Sequence, residues 1–567
     1  MEIPNENFYQ LTYNTSGTAS AVLTKDNSIS NVIVEERITN QVSDNIPIMA
    51  LQNIANGLSI GNMGITSNKQ DSGNEWAILT KFFSIYSDST RLKDGRIVTH
   101  QETHYLTALA AVLHSGFDEA HIFCMSDPTA RNEYGRVHES IFVLNPHLGY
   151  CNLAFRQIFG KNVPVKKSEK WLDTHYKRKT FSVFRAFETI REFTNCSTLK
   201  EVFAVSKLGK DDKMIPKILS KFGACSSAFD MDGGQQKFVP YEYLLAGSEI
   251  IPDKVEVLNE RKREIYLNLL YRLQTDYEKY LVDAVNEYMG SIENDVVSTS
   301  PNVVLSGGLN HNVRANYLLL KSLDKRINLY VDPIDTDISN AIGLGYELIG
   351  SCKMEPQGLK NFYMGNPLDF ENYSLNESEN EKSVTPREVA ELIADGNIVA
   401  IAQGRSEITD HSLGNRTILA DPRTVESKVK LSNSKYQPEH LPSMATILEE
   451  NVHDWFDMDR LNNSPEAMYA VDALDITKEK AVGAVYFDGS TRVQTVNPEY
   501  NQNYYNLIKE FGDLTGVPML INTSLNMHTF PICDNMSNIM DFMRCSGVDY
   551  LYLPESGKLL FIPDNSK

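Results

Sequence analysis

Val303-Val-Leu-Ser-Gly-Gly-Leu-Asn-His-Asn312 is the segment on which the architecture turns. Its apolar start, with two β-branched valines, reads as a buried strand, and the paired glycines let the backbone turn sharply and come close to a ligand. A helix and then the strand Ile327–Val331 follow, so the helix would offer its N-terminal amides to a phosphate. A glycine pair after a strand is common, and this one gains weight only from its surroundings. Upstream, Ala19 to Leu23 and Asn31 to Glu35 read as strands paired about the turn Asp26-Asn27. His100 to His114 has helical spacing and leads into the apolar strand Ile122–Met125. Residues 257–290 form a long helix whose stripe of Tyr266, Leu269, Leu273, Tyr277, Tyr280 and Ala284 reads as core. This alternation predicts an α/β fold with its chemistry on loops at strand ends.

The 567 residues suit two or three domains, and 42% hydrophobic with 23% charged residues is an ordinary globular balance. A formal net charge of −20 argues against a nucleic-acid surface, and no apolar run reaches the roughly 20 residues of a membrane span. The N-terminus has no basic segment ahead of an apolar one, and seven scattered cysteines contain no C-x-x-C pair. Reduced thiols and a cytoplasmic location are the expectation. Between Glu371 and Ser383 the chain turns polar and acidic, which reads as a linker or exposed loop. Thr385, Pro386 and Glu388 then form a capping box at a helix start, Gly396 ends that helix, and Ile398 to Ala402 reads as a buried strand. The expected division is 1–355, a linker at 356–383, and a second domain at 384–567.

Three constellations carry chemistry. On a helix, His100 and His104 would share a face and reach one metal. Asp127, after the strand ending in Met125, and Asp337, in a polar loop, would add carboxylates, with Asp335 competing for the latter place. Such a donor set suits iron, manganese or zinc. The Gly307-Gly308 turn is the second constellation. The third lies in the last 170 or so residues: Arg405 and Glu407 leave a strand, Asn415 and Arg416 follow, Arg492 sits after a turn, and Asn522, Thr523 and Asn526 end an apolar run. Cations and amides at strand ends suit an anionic, carbonyl-bearing ligand.

In order along the chain, these segments resemble the antibiotic and nodulation-factor O-carbamoyltransferase family (the NodU/CmcH type, which includes the tobramycin enzyme). The resemblance rests on ASAVLTKDNSISNVIVEER, His100/His104, LSGGLNHNVRAN, DTDISNAIGLG, QGRSE with LGNRTILADPR, DGSTRVQTV, and TGVPMLINTSLN with PI. It implies an actin-like ATPase domain, similar to the tRNA threonylcarbamoyl transferases, followed by a YrdC-like α/β domain. It also implies carbamoyl transfer driven by ATP: carbamoyl phosphate becomes carbamoyl adenylate in the second domain, and the first passes the carbamoyl group to a small-molecule acceptor. By resemblance His100, His104, Asp127 and Asp337 are metal ligands, with iron foremost and manganese or zinc as alternatives. By the same resemblance Gly307, Gly308 and Asn312 hold nucleotide, with ATP as co-substrate together with Mg. Arg405, Lys435, Arg492 and Asn522 act on the donor, and Glu407, Asn415, Arg416, Thr523 and Asn526 complete the site. A homodimer is left open.

The chain departs from the family at several cationic positions. Gly17-Thr18 replaces an opening His-Asp, and His411 replaces an arginine of G-P-R-A-L-G-N-R. The segment from Gln437 through Leu441 to Ala445 lacks two arginines, and His528 replaces a base. Each charged phosphate contact is worth about 1.5–3 kcal/mol, so such losses need compensation. Besides a working carbamoyltransferase of specialised metabolism, two other readings follow. One is a relative that activates a different group, the other a non-catalytic homologue.

Overall fold

In a computed structural model of the chain, the described residues are 9–14, 19–39, 47–55, 58–66, 91–92, 97–100, 103–125, 131–132, 135–158, 187, 191, 196, 199–215, 229–232, 235–238, 260–292, 298–334, 336–376, 379–438, 441 and 443–562. Strands β1 (Tyr9–Asn14), β2 (Ser20–Lys25) and β3 (Ser28–Val34) form the antiparallel meander expected around Asp26, which turns with φ of 54°. β4 (Ser59–Thr66) adds parallel to β1, and β5 (Arg91–Leu92) and β6 (Ile97–His100) both add parallel to β4. The order is β3-β2-β1-β4-β5, with β6 also on β4.

Helix α1 (Thr103–Ser115) leads to the second sheet. Here β7 (Ala120–Met125) pairs antiparallel with β9 (Gly135–Asn145), which carries the short β8 (Arg131–Asn132) and pairs antiparallel with β10 (Tyr150–Ile158). A separate hairpin joins β11 (Phe229–Asp232) to β12 (Gln235–Phe238). Helices α2 (Leu199–Ser206) and α3 (Glu260–Ile292) precede β13 (Asn302–Ser306), α4 (Val313–Ser322), β14 (Asn328–Val331) and α5 (Thr336–Ser351). β13 adds parallel to β7, and β14 parallel to β13, giving β10-β9-β7-β13-β14. Both sheets thus run third, second, first, fourth, fifth, with three antiparallel strands followed by parallel ones. The same strand order therefore occurs twice in the first half.

The C-terminal half is built on a mixed ten-stranded sheet. Its strands are β15 (Asn380–Ser383), β16 (Val399–Ala402), β17 (Arg416–Ala420), β18 (Met444–Leu448), β19 (Phe456–Asp457), β20 (Ala470–Ala473), β21 (Ser490–Val496), β22 (Met519–Ser524), β23 (Tyr550–Leu553) and β24 (Lys558–Phe561). They lie in the order β15-β24-β23-β16-β17-β22-β18-β21-β20-β19, with β16/β23 and β18/β21 parallel. Helices α6 (Pro386–Ala394), α7 (Val425–Ser434), α8 (Gln502–Thr515) and α9 (Met536–Cys545) complete it. Thr385 and Glu388 form the reciprocal capping box that starts α6, worth about 1 kcal/mol.

One apolar core is continuous from β13 and α3, through Leu305, Leu273 and Tyr277, into Ile401 and Ile521 of the C-terminal sheet. A second lies around α1 and α5, where Ala110, Val112, Ile342 and Ile349 are fully buried. At about 2 kcal/mol for each buried leucine or isoleucine, these cores fix the two halves against each other. The polar stretch from Glu371 also packs: Glu379 is buried and receives Tyr373, Asn376 and Arg544. Among the described residues no helix is long and apolar enough to cross a membrane.

Candidate functional site

Gly307 leaves β13 with φ of 106°, and a Cβ there would stand 2.4 Å from the Met125 carbonyl oxygen at the end of β7. Only glycine allows this approach, so the ends of β7 and β13 meet at the Gly-Gly turn. The N-terminal ends of α1 and α5 come to the same place. Gly343 packs with its missing Cβ 2.1 Å from the Leu106 carbonyl oxygen, and Thr107 donates to Asn340 Oδ1 at 2.9 Å. The His114 and Tyr346 rings, 5.9 Å apart, show that the two helices run the same way. His104 and Asp337 each stand one turn ahead of the Thr107–Asn340 contact, at one end of the pair.

This placement bears on the expected metal ligands. His100 ends strand β6 and is not on the helix, so a shared helical face for His100 and His104 does not form; α1 begins only at Thr103. His104 is buried, its Nδ1 3.0 Å from Ser140 Oγ, and Cys124 packs on its carbonyl. Asp337 lies in the first turn of α5. Asp127 and the competitor Asp335 lie outside the described residues. Among the described residues no group of three or more His, Cys, Asp or Glu is set to hold a metal. An imidazole and a carboxylate at one helix end nevertheless fit a borderline divalent cation. Sequence reasoning missed Glu139, a buried carboxylate opposite Met125 in the β7–β9 ladder.

Asn312 does something other than expected. Its Oδ1 caps α4 by accepting from the Ala315 amide, and it exchanges two amide hydrogen bonds, at 2.9 and 3.0 Å, with Gln274 of α3. The side chain is thereby spent on holding α4 to α3. α4 is in turn bound to the C-terminal half: Arg314 pairs with Asp472 at 2.7 Å, and Asn316 donates to the Met468 carbonyl at 3.0 Å.

Four of the expected donor-site residues form a buried knot. The Arg405 guanidinium donates to the backbone carbonyls of Gly365, Ser30 and Met364. Arg416, fully buried, spreads over the carbonyls of Gln403, Asn415, Asn366, Gly404 and Asp534. Glu407 Oε1 gathers the amides of Leu413, Asn415 and Arg416, and the Asn415 amide donates to the Arg405 carbonyl. The motif is a scaffold for the loop, because buried backbone groups must be satisfied somewhere. Asn522 is likewise fully buried in β22, between its ladder partners Leu419 and Met444.

Lys435, Thr523 and Asn526 do come together, and Arg492 stands apart from them. Lys435, buried at the end of α7, donates toward Thr523 Oγ1 (3.3 Å), the Ser524 carbonyl (2.8 Å), Ser524 Oγ (3.2 Å) and Asn526 Oδ1 (2.6 Å). Burial brings Lys435 down to about 7, far below lysine's ordinary value, with Cys533 acting weakly the other way. Nearby, burial pushes the Cys533 thiol up to about 12. Arg492 donates through Nε to the Ala467 carbonyl, and its Nη2 is buried without a hydrogen bond among the described residues. His411 bridges Asp410 (2.9 Å) and the Glu466 carbonyl (2.8 Å); burial, then Arg492, lower it to about 4. His311, just past the Gly-Gly turn, approaches Asp410 Oδ2 at 3.6 Å.

With this geometry in view, the chain's relatives can be set beside it. Residues 390–557 match the family described as Carbamoyltransferase C-terminus. The chain is 32% identical over 262 residues to nodulation protein NolNO of Sinorhizobium fredii, covering 44% of this chain and 38% of that protein. It is 26% identical over 244 residues to 3'-hydroxymethylcephem-O-carbamoyltransferase of Amycolatopsis lactamdurans, covering 43% and 46%. An uncharacterized Synechocystis protein is 29% identical over 289 residues, covering 44% and 46%. The chain spans about half the length of the curated relatives it matches, and the resemblance to O-carbamoyltransferases stands on them. Among solved structures, phosphate- and nucleotide-bound HypF is 9% identical with a TM-score of 0.31, over 62% of this chain and 57% of its own.

Proposed function

We propose that the chain is an ATP-dependent carbamoyltransferase of specialised metabolism, with an actin-like first half and a YrdC-like second half. The observation that carries this reading is the cluster of buried Lys435 with the half-buried Thr523, Ser524 and Asn526 inside the segment that matches the carbamoyltransferase C-terminus. Lys435 in its charged form holds the phosphate of carbamoyl phosphate. Water cleaves carbamoyl phosphate to carbamate and phosphate, and the carbamate oxygen attacks the α-phosphorus of ATP, so that pyrophosphate leaves and carbamoyl adenylate forms; exclusion of further water protects the adenylate. At the N-terminal half the backbone of Gly307 and Gly308 receives nucleotide phosphate. An acceptor hydroxyl or amine takes the carbamoyl group and AMP departs. His104 and Asp337 would hold a divalent metal, iron foremost, which when bound neutralises phosphate oxygens.

A second reading is favoured by a specific observation. Arg405 and Arg416 are committed to backbone carbonyls, and histidines stand at 411 and 528, so the cationic complement for carbamoyl phosphate is thin. On that reading ATP activates another carboxylate. Incubation with ATP and carbamoyl phosphate, followed by mass spectrometry for carbamoyl adenylate, separates the two. Adenylate supports the first; ATP consumption that ignores carbamoyl phosphate supports the second.

A further inference from the structure

Helix α2 belongs to the first half, yet its charged side chains contact the second. Lys200 forms an ion pair with Asp410. Its neighbour Glu201 holds His528 Nε2 at 3.1 Å. Just past the helix, Lys207 pairs with Asp488 at 2.9 Å, donates to Ser490 at 3.1 Å and lies 4.8 Å from the centre of the Tyr486 ring. His528 in turn donates its backbone amide to the Lys435 carbonyl. The helix therefore contacts the two altered positions, 410–411 and 528, where the resemblance expects cations in the second half.

Around Asp410 the chemistry is lopsided. Lys200 comes from α2, His311 from the turn after β13, and His411 from the adjoining residue, while the charge of Arg492 on β21 reaches both Asp410 and His411. Burial works to raise the Asp410 carboxyl, but His311, Lys200 and His411 outweigh it and hold it well below the ordinary range. Four basic groups from four segments face one carboxylate that is only a quarter exposed. An ion pair needed only to fasten two halves takes one partner on each side; here the two cations Lys200 and Arg492 both act on one carboxylate, with the imidazoles of His311 and His411 beside it.

We infer that Lys200 is a specificity-determining residue of the second half's site, replacing from α2 the cation missing at position 411, and that the group it serves is a phosphoryl oxyanion competing with Asp410. The inference rests on the carbamoyl-phosphate reading only for which phosphoryl compound is bound. It sets Lys200 and Asp410 to opposite effects. Removing the lysine weakens oxyanion binding. Removing the charge of Asp410 frees the basic groups and strengthens it. A fastening ion pair has no such asymmetry, because losing either partner loosens the halves alike.

The test is calorimetric titration of the full chain with inorganic phosphate, carbamoyl phosphate and ATP in separate runs. Lys200→Met should weaken at least one of these about tenfold, and Asp410→Asn should tighten the same one by a similar factor. Lys200→Arg should retain the affinity, which excludes misfolding as the cause. Lys210→Ala, at an exposed lysine paired with Glu264, should change nothing. The run that responds identifies the source: free phosphate, the carbamoyl donor or the nucleotide. Equal losses in Lys200→Met and Asp410→Asn, no change in either, or no binding by the wild-type chain would each overturn the inference. Opposite shifts in a chain that forms no carbamoyl adenylate would keep it and remove the donor reading instead.

Discussion

Lys435 donates to Asn526 Oδ1 across 2.6 Å, joining the end of α7 to the turn after β22, and the lysine itself is buried. That burial is what brings the lysine to about 7. Below that pH the site holds a cation for an oxyanion; above it the amine is neutral and the attraction is lost. Affinity for inorganic phosphate should therefore fall as pH rises from 6 to 8.5, and Lys435→Met should bind weakly and independently of pH in that range. Titration calorimetry at both pH values checks this; a wild-type affinity that rises with pH contradicts it.

The same residue makes a stability prediction of definite sign. In the unfolded chain lysine keeps its proton to about 10.5, so between 7 and 10.5 the unfolded state binds more protons than the folded one. This group therefore makes the protein more stable as pH rises through that window, by up to about 1.4 kcal/mol per pH unit. Lys435→Met should flatten the slope of urea-unfolding free energy between pH 7.5 and 9.5, whatever it does to the absolute value.

Arg416 and Arg405 should behave as structural residues. Replacing Arg416 by Met takes the guanidinium from five backbone carbonyls, of which those of Asn366, Gly404 and Asn415 keep a backbone donor, and should cost about 3–5 kcal/mol. Differential scanning calorimetry should show the loss. Phosphate affinity per folded molecule, measured at low temperature, should stay within about twofold of wild type. A variant of undiminished stability that fails to bind would return Arg416 to the ligand contacts.

Much of this was legible in the sequence. The capping box at Thr385, the meander around Asp26 and the long helix to Ile292 follow from local signals, because caps, turn residues and a 3.6-residue stripe act over a few positions. The failures share one cause. His100 and His104 have helical spacing, but β6 pairs with β4 through His100, and tertiary pairing overrides local propensity. Arg405, Glu407, Asn415 and Arg416 look like ligand chemistry in one dimension. That they satisfy backbone carbonyls and amides shows only once Gly365, Gly404 and Asp534 are brought around them. Lys200 and Glu201 carried no motif; their meeting with Asp410 and His528 spans more than 200 positions of chain.

The closeness of α1 and α5 gives another test. A Cβ at Gly343 would meet the Leu106 carbonyl, a backbone group that cannot swing aside. Gly343→Ala should push the helices apart and separate His104 from Asp337. Iron, manganese and zinc content by mass spectrometry should fall in Gly343→Ala and in His104→Ala alike, while circular dichroism of His104→Ala stays near wild type. Unchanged metal content in His104→Ala would remove that residue from the ligands.

Asn312 and Gln274 should show the coupling of a reciprocal pair. Asn312→Ala removes a helix cap and takes the donor from Gln274 Oε1, while Gln274 Nε2 keeps Glu278, costing about 2–3 kcal/mol. With Gln274→Leu already in place, the further cost of Asn312→Ala should shrink to about 1 kcal/mol. A double-mutant cycle in urea measures the difference.

The most direct measurement mixes purified full-length protein, ATP, magnesium and carbamoyl phosphate, and follows carbamoyl adenylate by mass spectrometry alongside pyrophosphate release. The account predicts adenylate and pyrophosphate in equal amounts, both dependent on carbamoyl phosphate and both lost in Lys435→Met. Pyrophosphate release that proceeds without carbamoyl phosphate, or no adenylate from a protein that binds ATP, would contradict it.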